Sequence, residues 1–389
     1  MARRRLESAL EAGQTIDQGK SYPSRFTKVN VDFDIKLEPE VDGVFSLQYS
    51  FDGRLLAVGC GNGTIRLYNT AKGTKLPDLR KTRYGGYPIM CLRFHPKNPK
   101  ILFAGTSEGQ ILSCDISDFI TEDGKIVEDF TNIQVEKDER WHEVLQEKKD
   151  SMKNEINCLD FDYTLQRYAT AGRDLSIRIY DANTNQLVSE YTGYDNTKDP
   201  TNQSTAGAGM RVFSLKWHPE YDDIFLTGGW DKHIKIWDAR NNEGIRRTIH
   251  GPHLAGDSLD LKGNKILTGS WEGRTDALEI WNYSTDYTTD RKKRPQVVNF
   301  PAGAKGPFLY AAQFCDNDVV VAGGSGTNSA MAINAETNEV IGEVKFNHPV
   351  QAIDTVHGGR LFAVGAGAEH GNKRLSGETG LKLCRLTDH

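Results

Sequence analysis

The sequence lacks long apolar runs, closely spaced cysteines and an excess of positive charge. Across its 389 residues, no apolar stretch approaches the ~18 residues that a membrane-spanning helix needs. None of the six cysteines belongs to a CxxC pair, and most fall at apolar strand positions, so we expect buried reduced thiols rather than disulfides. A net charge of −5 and a pI near 6.1 argue against a general nucleic-acid binder.

Proline is also scarce, at 13 residues against 38 glycines, which favours many tight turns rather than disorder. The first residues, MARRRLESALEAG, are basic but have no apolar h-region, so they do not read as a secretory signal. We expect residues 1–25 to form an N-terminal tail with a short helix that carries Leu6, Ala9 and Leu10 on one face.

Common enzyme motifs are missing from the sequence as well. It contains no GxSxG, Walker A, HExxH or dinucleotide-binding pattern. His250 and His253 in IHGPHLAGD have the residue type of metal ligands, but no third ligand is indicated nearby and a loop between strands explains them. We therefore expect no catalytic residue, no cofactor and no metal.

A pattern of three short strands, named a, b and c, recurs along the chain. Strand a alternates, strand b is built from small residues and ends in a Gly-rich turn, and strand c ends in an apolar or aromatic residue plus a polar one. The clearest unit is VFSLKWHPEYDDIFLTGGWDKHIKIWDAR, Val212–Arg240. The seven units span residues 44–69, 89–115, 156–181, 212–240, 257–282, 309–334 and 350–386.

These units resemble the WD-repeat family of β-propellers. The resemblance rests on the strand-c endings Trp237-Asp238, Tyr180-Asp181, Trp281-Asn282 and Tyr68-Asn69, on the openings Ser46-Leu47, Cys91-Leu92, Cys158-Leu159 and Ser214-Leu215, and on His95-Pro96 and His218-Pro219. It implies an all-β, seven-bladed propeller over residues 26–389. Units 6 and 7 lack the Trp-Asp ending, and only His253 and His348 stand near the usual Gly-His position. The buried His–Asp–Trp network of the family is therefore expected in units 3 and 4 only.

The ends of the chain suggest how the ring closes. A propeller blade has four strands, and only three residues follow strand c of unit 7. Before unit 1, the segment 26–39 alternates strictly, with Val29, Val31, Phe33, Ile35 and Leu37 separated by polar residues. We predict that this N-terminal strand completes the last blade, which removes the open sheet edges.

Three insertions interrupt the spacing of the units, at residues 119–155, 192–210 and 283–306. The second half of the first is densely charged and predicts a helix, with Trp141, Val144, Leu145 and Lys148 on one face. This helix would either dock a partner through Trp141 and Leu145 or hold the insertion on its own blade. The second insertion, rich in Asn, Thr, Gly and Asp, predicts a mobile loop.

The third insertion carries a basic run of four residues, Arg291, Lys292, Lys293 and Arg294. Such a run serves as a nuclear signal, as a contact for an acidic surface such as tubulin, or as a solvated loop tip.

The turns between strands b and c should lie on one rim of the propeller. In units 3, 4 and 5 the residue before the polar position of this turn is Arg173, Trp230 and Trp271. Because Trp and Arg are enriched in binding hot spots, we take these three residues as a candidate protein-binding rim. A Trp before Asp in this turn is also a common packing feature of WD repeats.

The resemblance implies a non-enzymatic scaffold that positions other proteins in a larger assembly, with no nucleic-acid or membrane partner. A compact propeller with short tails resembles the microtubule-associated and ciliary members, so tubulin or axonemal partners and a cytoplasmic, cytoskeletal or ciliary location are expected. Two alternatives stay open. One is a nuclear or ubiquitin-ligase-type adaptor that grips a peptide, and the other is a propeller enzyme or ligand binder that uses the central channel.

Overall fold

The computed structural model describes residues 26–80, 86–121, 125–127, 141–149, 152–162, 164–193, 208–241, 244–273, 276–287, 293–302, 306–356, 359–367 and 379–388. The tail helix that we predict within residues 1–25 lies outside this part of the chain. The described residues form seven four-stranded antiparallel sheets, a small hairpin and two short 3₁₀ turns at Pro39–Val41 and Ser117–Phe119. The expected all-β, seven-bladed propeller is confirmed.

The first three blades are each built from consecutive strands in the order a, b, c, d. Blade 1 contains β2 (Val44–Tyr49), β3 (Leu55–Cys60), β4 (Ile65–Asn69) and β5 (Thr74–Lys75). Blade 2 contains β6 (Ile89–Phe94), β7 (Ile101–Thr106), β8 (Gln110–Asp115) and β9 (Trp141–Gln146), and is followed by the hairpin of β10 (Lys148–Lys149) and β11 (Met152–Lys153). Blade 3 contains β12 (Ile156–Phe161), β13 (Arg167–Gly172), β14 (Ile177–Asp181) and β15 (Leu187–Tyr191).

The same order continues through the next three blades. Blade 4 contains β16 (Val212–Trp217), β17 (Ile224–Gly229), β18 (His233–Asp238) and β19 (Ile245–His250). Blade 5 contains β20 (Leu259–Lys262), β21 (Lys265–Gly269), β22 (Leu278–Asn282) and β23 (Gln296–Val297). Blade 6 contains β24 (Leu309–Phe314), β25 (Val319–Gly324), β26 (Ser329–Asn334) and β27 (Val340–Lys345).

The last blade joins the two ends of the described chain. It contains β28 (Val350–Val356), β29 (Leu361–Ala366), β30 (Thr379–Thr387) and, as its outer strand, β1 (Lys28–Leu37). β1 runs antiparallel to β30, from Lys28 opposite Thr387 to Leu37 opposite Thr379. The predicted closure by the N-terminal strand is therefore confirmed.

A bulge in β1 divides its apolar residues between two neighbours. The register shifts between Val31 and Phe33. Val29 consequently packs toward blade 6, whereas Phe33 and Ile35 pack toward blade 1. Val31, at the bulge, is 45% exposed. The alternation in the sequence identifies the strand, but the bulge decides which residues are buried.

The hydrophobic core lies in the joints between blades. Each of the seven clusters of buried side chains in the described residues combines strands of two adjacent blades, and one of them joins blade 7 to blade 1. Small residues in strand b make these joints possible. A Cβ at Gly59 would lie 2.7 Å from Ile89 Cγ2, and one at Gly105 would lie 2.9 Å from Ile156 Cγ2. Glycine thus allows the first strand of the next blade to approach closely.

The helix predicted around Trp141 and Leu145 is wrong, because these residues belong to strand β9. A register shift in the pairing of β8 with β9 places Leu145 opposite Ile111 and Glu143 opposite Leu112. Trp141, Val144 and Leu145 are all partly buried. Because of this bulge, the partly buried residues Val144 and Leu145 follow Trp141 at spacings of three and four instead of the strand period of two. The same spacing is typical of one face of a helix.

The other insertions are described only in part. Residues 194–207 of the second insertion and residues 288–292 of the third, including Arg291 and Lys292, lie outside the described residues. Ala208 is buried, with its N–H donated to the carbonyl of Leu175 at 3.2 Å. Lys293 and Arg294 are exposed and lead into the short outer strand of blade 5.

Candidate protein-binding rim

Two exposed tryptophans occupy equivalent turns on neighbouring blades. Trp230 follows β17 in blade 4 and is 36% exposed, and Trp271 follows β21 in blade 5 and is 37% exposed. The N–H of Trp230 donates to the carbonyl of Arg211 at 3.1 Å, and that of Trp271 donates to the carbonyl of His253 at 2.7 Å. These bonds join the b–c turns to the segments that precede β16 and β20. Both indoles therefore lie at the same end of the propeller.

Bulges at the start of strand a add side chains to this end. In six of the seven blades, the register shifts between the first and third residues of strand a. A bulge leaves its residue unpaired and re-aims the side chain. In blades 4 and 6 the residue between is Phe213 and Tyr310, respectively. Neither was predicted as a site residue, and an aromatic at the second position of strand a is the signal that identifies them.

Trp230 packs between an aromatic ring and a guanidinium group. Its ring centroid lies 5.3 Å from that of Phe213, and the Arg211 guanidinium lies 5.4 Å from the indole centroid. Arg211 Nη1 is also 3.0 Å from Glu155 Oε2. The indole is thus held by packing and a cation–π contact while a third of its surface stays open to solvent.

His253 lies between the two tryptophans. Its ring is 6.3 Å from Trp230 and 6.0 Å from Trp271, in both cases in an edge-to-face arrangement. Burial lowers the pKa of His253 below its usual value; Lys232 lowers it further, and Glu272 opposes the shift. Lys232 Nζ pairs with Glu272 Oε1 at 2.5 Å, which limits that opposition. His253 is therefore neutral at neutral pH and completes an uncharged aromatic surface.

The aromatic surface continues to blade 6. Trp271 lies 5.7 Å from Phe308 and 6.2 Å from Tyr310. Phe308 has a φ of 37°, which is unfavourable for a bulky residue and places its side chain against Trp271. The resulting surface, called the aromatic rim, is formed by Phe213, Trp230, His253, Trp271, Phe308 and Tyr310.

Arg173 extends this surface with charge. It is half-exposed, and its Nη1 is 2.7 Å from Glu155 Oε1. Glu155 bridges Arg173 to Arg211, which lies over Trp230. The three predicted rim residues, Arg173, Trp230 and Trp271, thus lie along one strip that crosses blades 3, 4 and 5. Their role in binding stays a prediction.

The residues predicted for docking in the first insertion face their own fold. Trp141 Nε1 donates to the carbonyl of Leu79 at 2.9 Å, and its ring packs on the cluster between blades 1 and 2. Leu145 packs on the cluster between blades 2 and 3. Lys293 and Arg294 precede β23, which is entered from the end of β22 opposite Trp271. The structure therefore does not bring these residues together with the aromatic rim.

A buried carboxylate occupies the joint between blades 2 and 3. Glu147 accepts hydrogen bonds from Tyr180 OH at 3.0 Å, from Asn154 Nδ2 at 2.7 Å and from Thr170 Oγ1, and its Oε2 lies 3.1 Å from Arg178 Nη1. Burial raises the pKa of Glu147, against the pull of Arg178. Glu147 lies inside the first insertion, and its sequence position gives no signal of this buried role.

In blades 4 and 5 the buried bonds of the strand-c tryptophans go to threonines, not to the histidine and aspartate of the network expected in units 3 and 4. Trp237 Nε1 donates to Thr227 Oγ1 at 2.8 Å in blade 4, and Trp281 Nε1 donates to Thr268 Oγ1 at 2.9 Å in blade 5. Both Trp–Thr bonds are buried and link strand c to strand b. Trp237 and Trp281 therefore stabilise their blades, in contrast to the exposed Trp230 and Trp271.

Charged residues in the central channel pair with one another. Arg93 of blade 2 reaches Asp160 at 3.3 Å and Asp257 at 3.6 Å, and Lys216 of blade 4 reaches Asp257 at 3.0 Å. Burial alone would raise the pKa of Asp257, but Lys216 and Arg93 outweigh burial and lower it. These charged residues therefore form ion pairs that connect different blades.

Comparison with known proteins agrees with this architecture. The model described as "WD domain, G-beta repeat" matches residues 145–181 and 202–238, and the "Anaphase-promoting complex subunit 4 WD40 domain" model matches residues 33–97. The two matches of the repeat model end at Asp181 and Asp238, the last residues of strand c in blades 3 and 4. In the described residues, no helix is long and apolar enough to cross a membrane.

Individual proteins that resemble this chain have low sequence identity to it. WD repeat-containing protein slp1 of Schizosaccharomyces pombe is 25% identical over 290 residues, covering 73% of this chain and 48% of that protein. Protein transport protein SEC31 of Saccharomyces cerevisiae is 22% identical over 303 residues, covering 72% of this chain and 21% of that protein. The guanine nucleotide-binding protein subunit beta of Oryza sativa subsp. indica is 24% identical over 155 residues, covering 37% of this chain and 38% of that protein.

The chain thus aligns with less than half the length of each of these relatives. What they share with it is the repeat and its propeller architecture, in domains that generally serve protein interaction rather than catalysis. Seven closed blades, the Trp-Asp and Tyr-Asp strand endings and the matches to WD-repeat models together identify the chain as a WD-repeat β-propeller.

Proposed function

We propose that this propeller is an interaction scaffold that docks a partner protein on its aromatic rim. The observation that carries the proposal is the continuity of six aromatic side chains across blades 4, 5 and 6, with two tryptophans about one-third exposed at its centre. Soluble proteins seldom expose a contiguous aromatic patch unless it serves binding.

The charges around the rim suit a partner with mixed polarity. Arg173, Glu155 and Arg211 form a ladder on one flank, and the Lys232–Glu272 pair lies beside His253. Such pairs at the border of an apolar patch contribute to specificity and association rate more than to affinity. The tryptophans are therefore the expected centre of the binding energy.

The experiment is a pull-down from native cells with the full-length chain, read by quantitative mass spectrometry. Trp230→Ala and Trp271→Ala are combined in one variant. Truncating a hot-spot residue costs at least about 2 kcal/mol, which corresponds to about 30-fold weaker binding per residue. Partners that use the rim should therefore disappear from the double variant.

Tyr221→Ala serves as the matched control. Tyr221 is 51% exposed and lies in the a–b turn of blade 4, at the other end of the strands from Trp230. It should leave the set of captured proteins unchanged. If the double variant melts as the wild-type protein does and still captures the same partners, the rim is not the docking surface.

A second candidate is an adaptor in a cell-cycle or ubiquitin-ligase assembly. It is favoured by the match of residues 33–97 to the anaphase-promoting complex subunit 4 domain model and by relatives such as the B-type cell cycle switch protein ccs52B of Medicago truncatula. In that case Arg173, Trp230 and Trp271 would grip a peptide. Recovery of ubiquitin-ligase subunits by wild-type protein but not by Arg173→Ala would support this candidate over a general scaffold.

A cytoskeletal or ciliary setting is a further proposal, based on the resemblance to the microtubule-associated and ciliary members of the family. The basic run 291–294 supplies a contact for an acidic surface, and its described members Lys293 and Arg294 are exposed. Co-sedimentation with microtubules should then fall when all four basic residues are replaced by Ala. Equal sedimentation of this variant, or absence of tubulin from the pull-down, would contradict the setting.

A further inference from the structure

Two histidines of blade 4 face each other across neighbouring strands. His233 is the first residue of β18 and His250 is the last residue of β19, and the strand register places them directly opposite. Their ring centroids are 4.9 Å apart, and His250 Nδ1 lies 3.3 Å from His233 Nε2. His250 is exposed and His233 is half-buried, so this His pair is accessible to a dissolved ion.

A backbone carbonyl fixes the tautomer of His233. Its Nδ1 lies 2.5 Å from the carbonyl oxygen of Asp231. Because a carbonyl oxygen can only accept, Nδ1 carries the hydrogen, and in the neutral ring Nε2 then presents a lone pair toward His250. The Asp231 side chain forms an ion pair with Lys235, with Nζ 2.8 Å from Oδ2. This pair stabilises the turn that orients the imidazole.

The distance between the two facing nitrogens matches the bite of a transition metal. Tetrahedral Zn²⁺ binds imidazole nitrogen at about 2.0–2.1 Å, which places two ligand nitrogens about 3.3 Å apart. Metal-ligating histidines typically donate their other ring N–H to a carbonyl or carboxylate, as His233 does to Asp231. Both the spacing and the second hydrogen bond therefore suit a metal-binding pair.

We propose that His233 and His250 form a two-ligand site for a divalent transition metal such as Zn²⁺. Imidazole suits Zn²⁺, Ni²⁺ and Cu²⁺. No group of three or more His, Cys, Asp or Glu side chains converges in the described part of the chain, so the remaining positions are for water or for a ligand from a partner protein. The site is open and its ion exchangeable.

The location connects the site to the surface of blade 4. The N–H of Gly251, next to His250, donates to the carbonyl of Lys232, which is two residues after Trp230. An ion held by the His pair would lie at the border of the aromatic rim. The proposal does not depend on the rim as a docking surface, because it rests on the two imidazoles alone.

Metal binding requires one rearrangement that conserves protons. Without metal, His250 Nδ1 donates its hydrogen to His233 Nε2. With metal, His250 carries that hydrogen on Nε2 instead of Nδ1, and both facing nitrogens offer lone pairs to the ion.

The test is a titration of untagged full-length protein with Co²⁺, read by its visible absorption, followed by displacement with Zn²⁺. We expect one ion per chain, with binding at least about tenfold weaker in His233→Ala and in His250→Ala. His142→Ala is the matched control, because His142 is an exposed histidine on strand β9 of another blade. It should bind Co²⁺ as the wild-type protein does.

A second measurement is independent of the variants. Zn²⁺ should shift the imidazole NMR signals of His233 and His250 and leave those of His142 in place. Unchanged Co²⁺ affinity in folded His250→Ala, or Zn²⁺-induced shifts confined to other histidines, would overturn the proposal.

Discussion

Asp354 of the last blade accepts the backbone N–H of Tyr49 of the first blade at 2.6 Å. The same carboxylate oxygen accepts Gln48 Nε2 at 3.2 Å, and Asp354 is 5% exposed. The residues are 305 positions apart in the chain. This bond therefore reports directly on the closed ring.

Replacing Asp354 with Ala should destabilise the protein at the ring joint. The buried N–H of Tyr49 would lose its acceptor, which costs about 1–3 kcal/mol. Urea denaturation should show a lower midpoint with an unchanged slope. Asp34→Ala is the control, because Asp34 is itself exposed and its ion pair with Lys382 contributes about 0–1 kcal/mol. Equal midpoints for the two variants would contradict the role of Asp354.

Removal of residues 1–40 should abolish cooperative unfolding or cause aggregation. The deletion takes away β1, which exposes the whole outer edge of β30 and uncovers the apolar joints on both sides of blade 7. Val31→Ala, at an exposed position of the same strand, should leave the melting temperature nearly unchanged. A soluble deletion variant that melts at the wild-type temperature would show that the ring closes without β1.

Much of the fold follows from the sequence because each blade repeats a local pattern. Strand a of unit 1 begins at Val44 and strand c ends at Asn69, as the alternation and the Gly-rich turn predict. The closing strand was equally predictable, since a four-stranded blade needs a fourth partner. These features depend on period-two patterning within short segments, which one sequence contains in full.

The site was predictable only where local turn chemistry determines it. Trp230 and Trp271 follow from their turns, whereas Phe213 and Tyr310 join them because bulges re-aim residues of strand a. His253 contributes because adjacent blades place its loop between two turns. The sequence of one short segment does not reveal bulges or contacts between blades. The bulge that makes β9 resemble a helix was missed for the same reason.

Glu147→Ala should be one of the most destabilising single changes in the described part of the chain. Removing a partner from a buried ion pair costs about 3–5 kcal/mol, and Thr170 and Tyr180 would also lose their acceptor. Glu147→Gln keeps the shape and one acceptor, so it should lose less. Glu143→Ala, at an exposed position of β9, is the control. Comparable unfolding midpoints for the variants at 147 and 143 would contradict a buried network.

Trp141 and Trp230 should separate stability from binding. Trp141→Ala removes the bond to Leu79 and packing between blades 1 and 2, so it should lower the melting temperature by several degrees while the folded variant retains its partners. Trp230→Ala should leave the melting temperature nearly unchanged but lose the partners that bind the rim. Thermal melts and pull-downs on both variants check this. Loss of partners from folded Trp141→Ala would restore the docking role first predicted for the insertion.

His253 should make stability sensitive to mild acid. Burial between Trp230 and Trp271 lowers the pKa of His253 in the folded state below the value of 6.5 expected in the unfolded chain. The unfolded state therefore binds the proton more readily, so the contribution of neutral His253 is present above pH 6.5 and is lost as the pH falls through the folded pKa. His253→Gln should lose less stability than the wild-type protein between pH 7.5 and 5.

Urea denaturation at several pH values measures this difference, and His142→Gln provides the comparison. His142 is exposed on β9. Its replacement removes an exposed histidine far from the aromatic rim and should leave the pH dependence of the wild-type protein unchanged. His253→Gln should make stability depend less on pH below 6.5. The variant lacks the imidazole that binds a proton more readily in the unfolded chain than in the folded protein. If both variants follow the wild-type curve, the folded protein does not lower the pKa of His253, and burial of this ring is not the cause of the acid sensitivity.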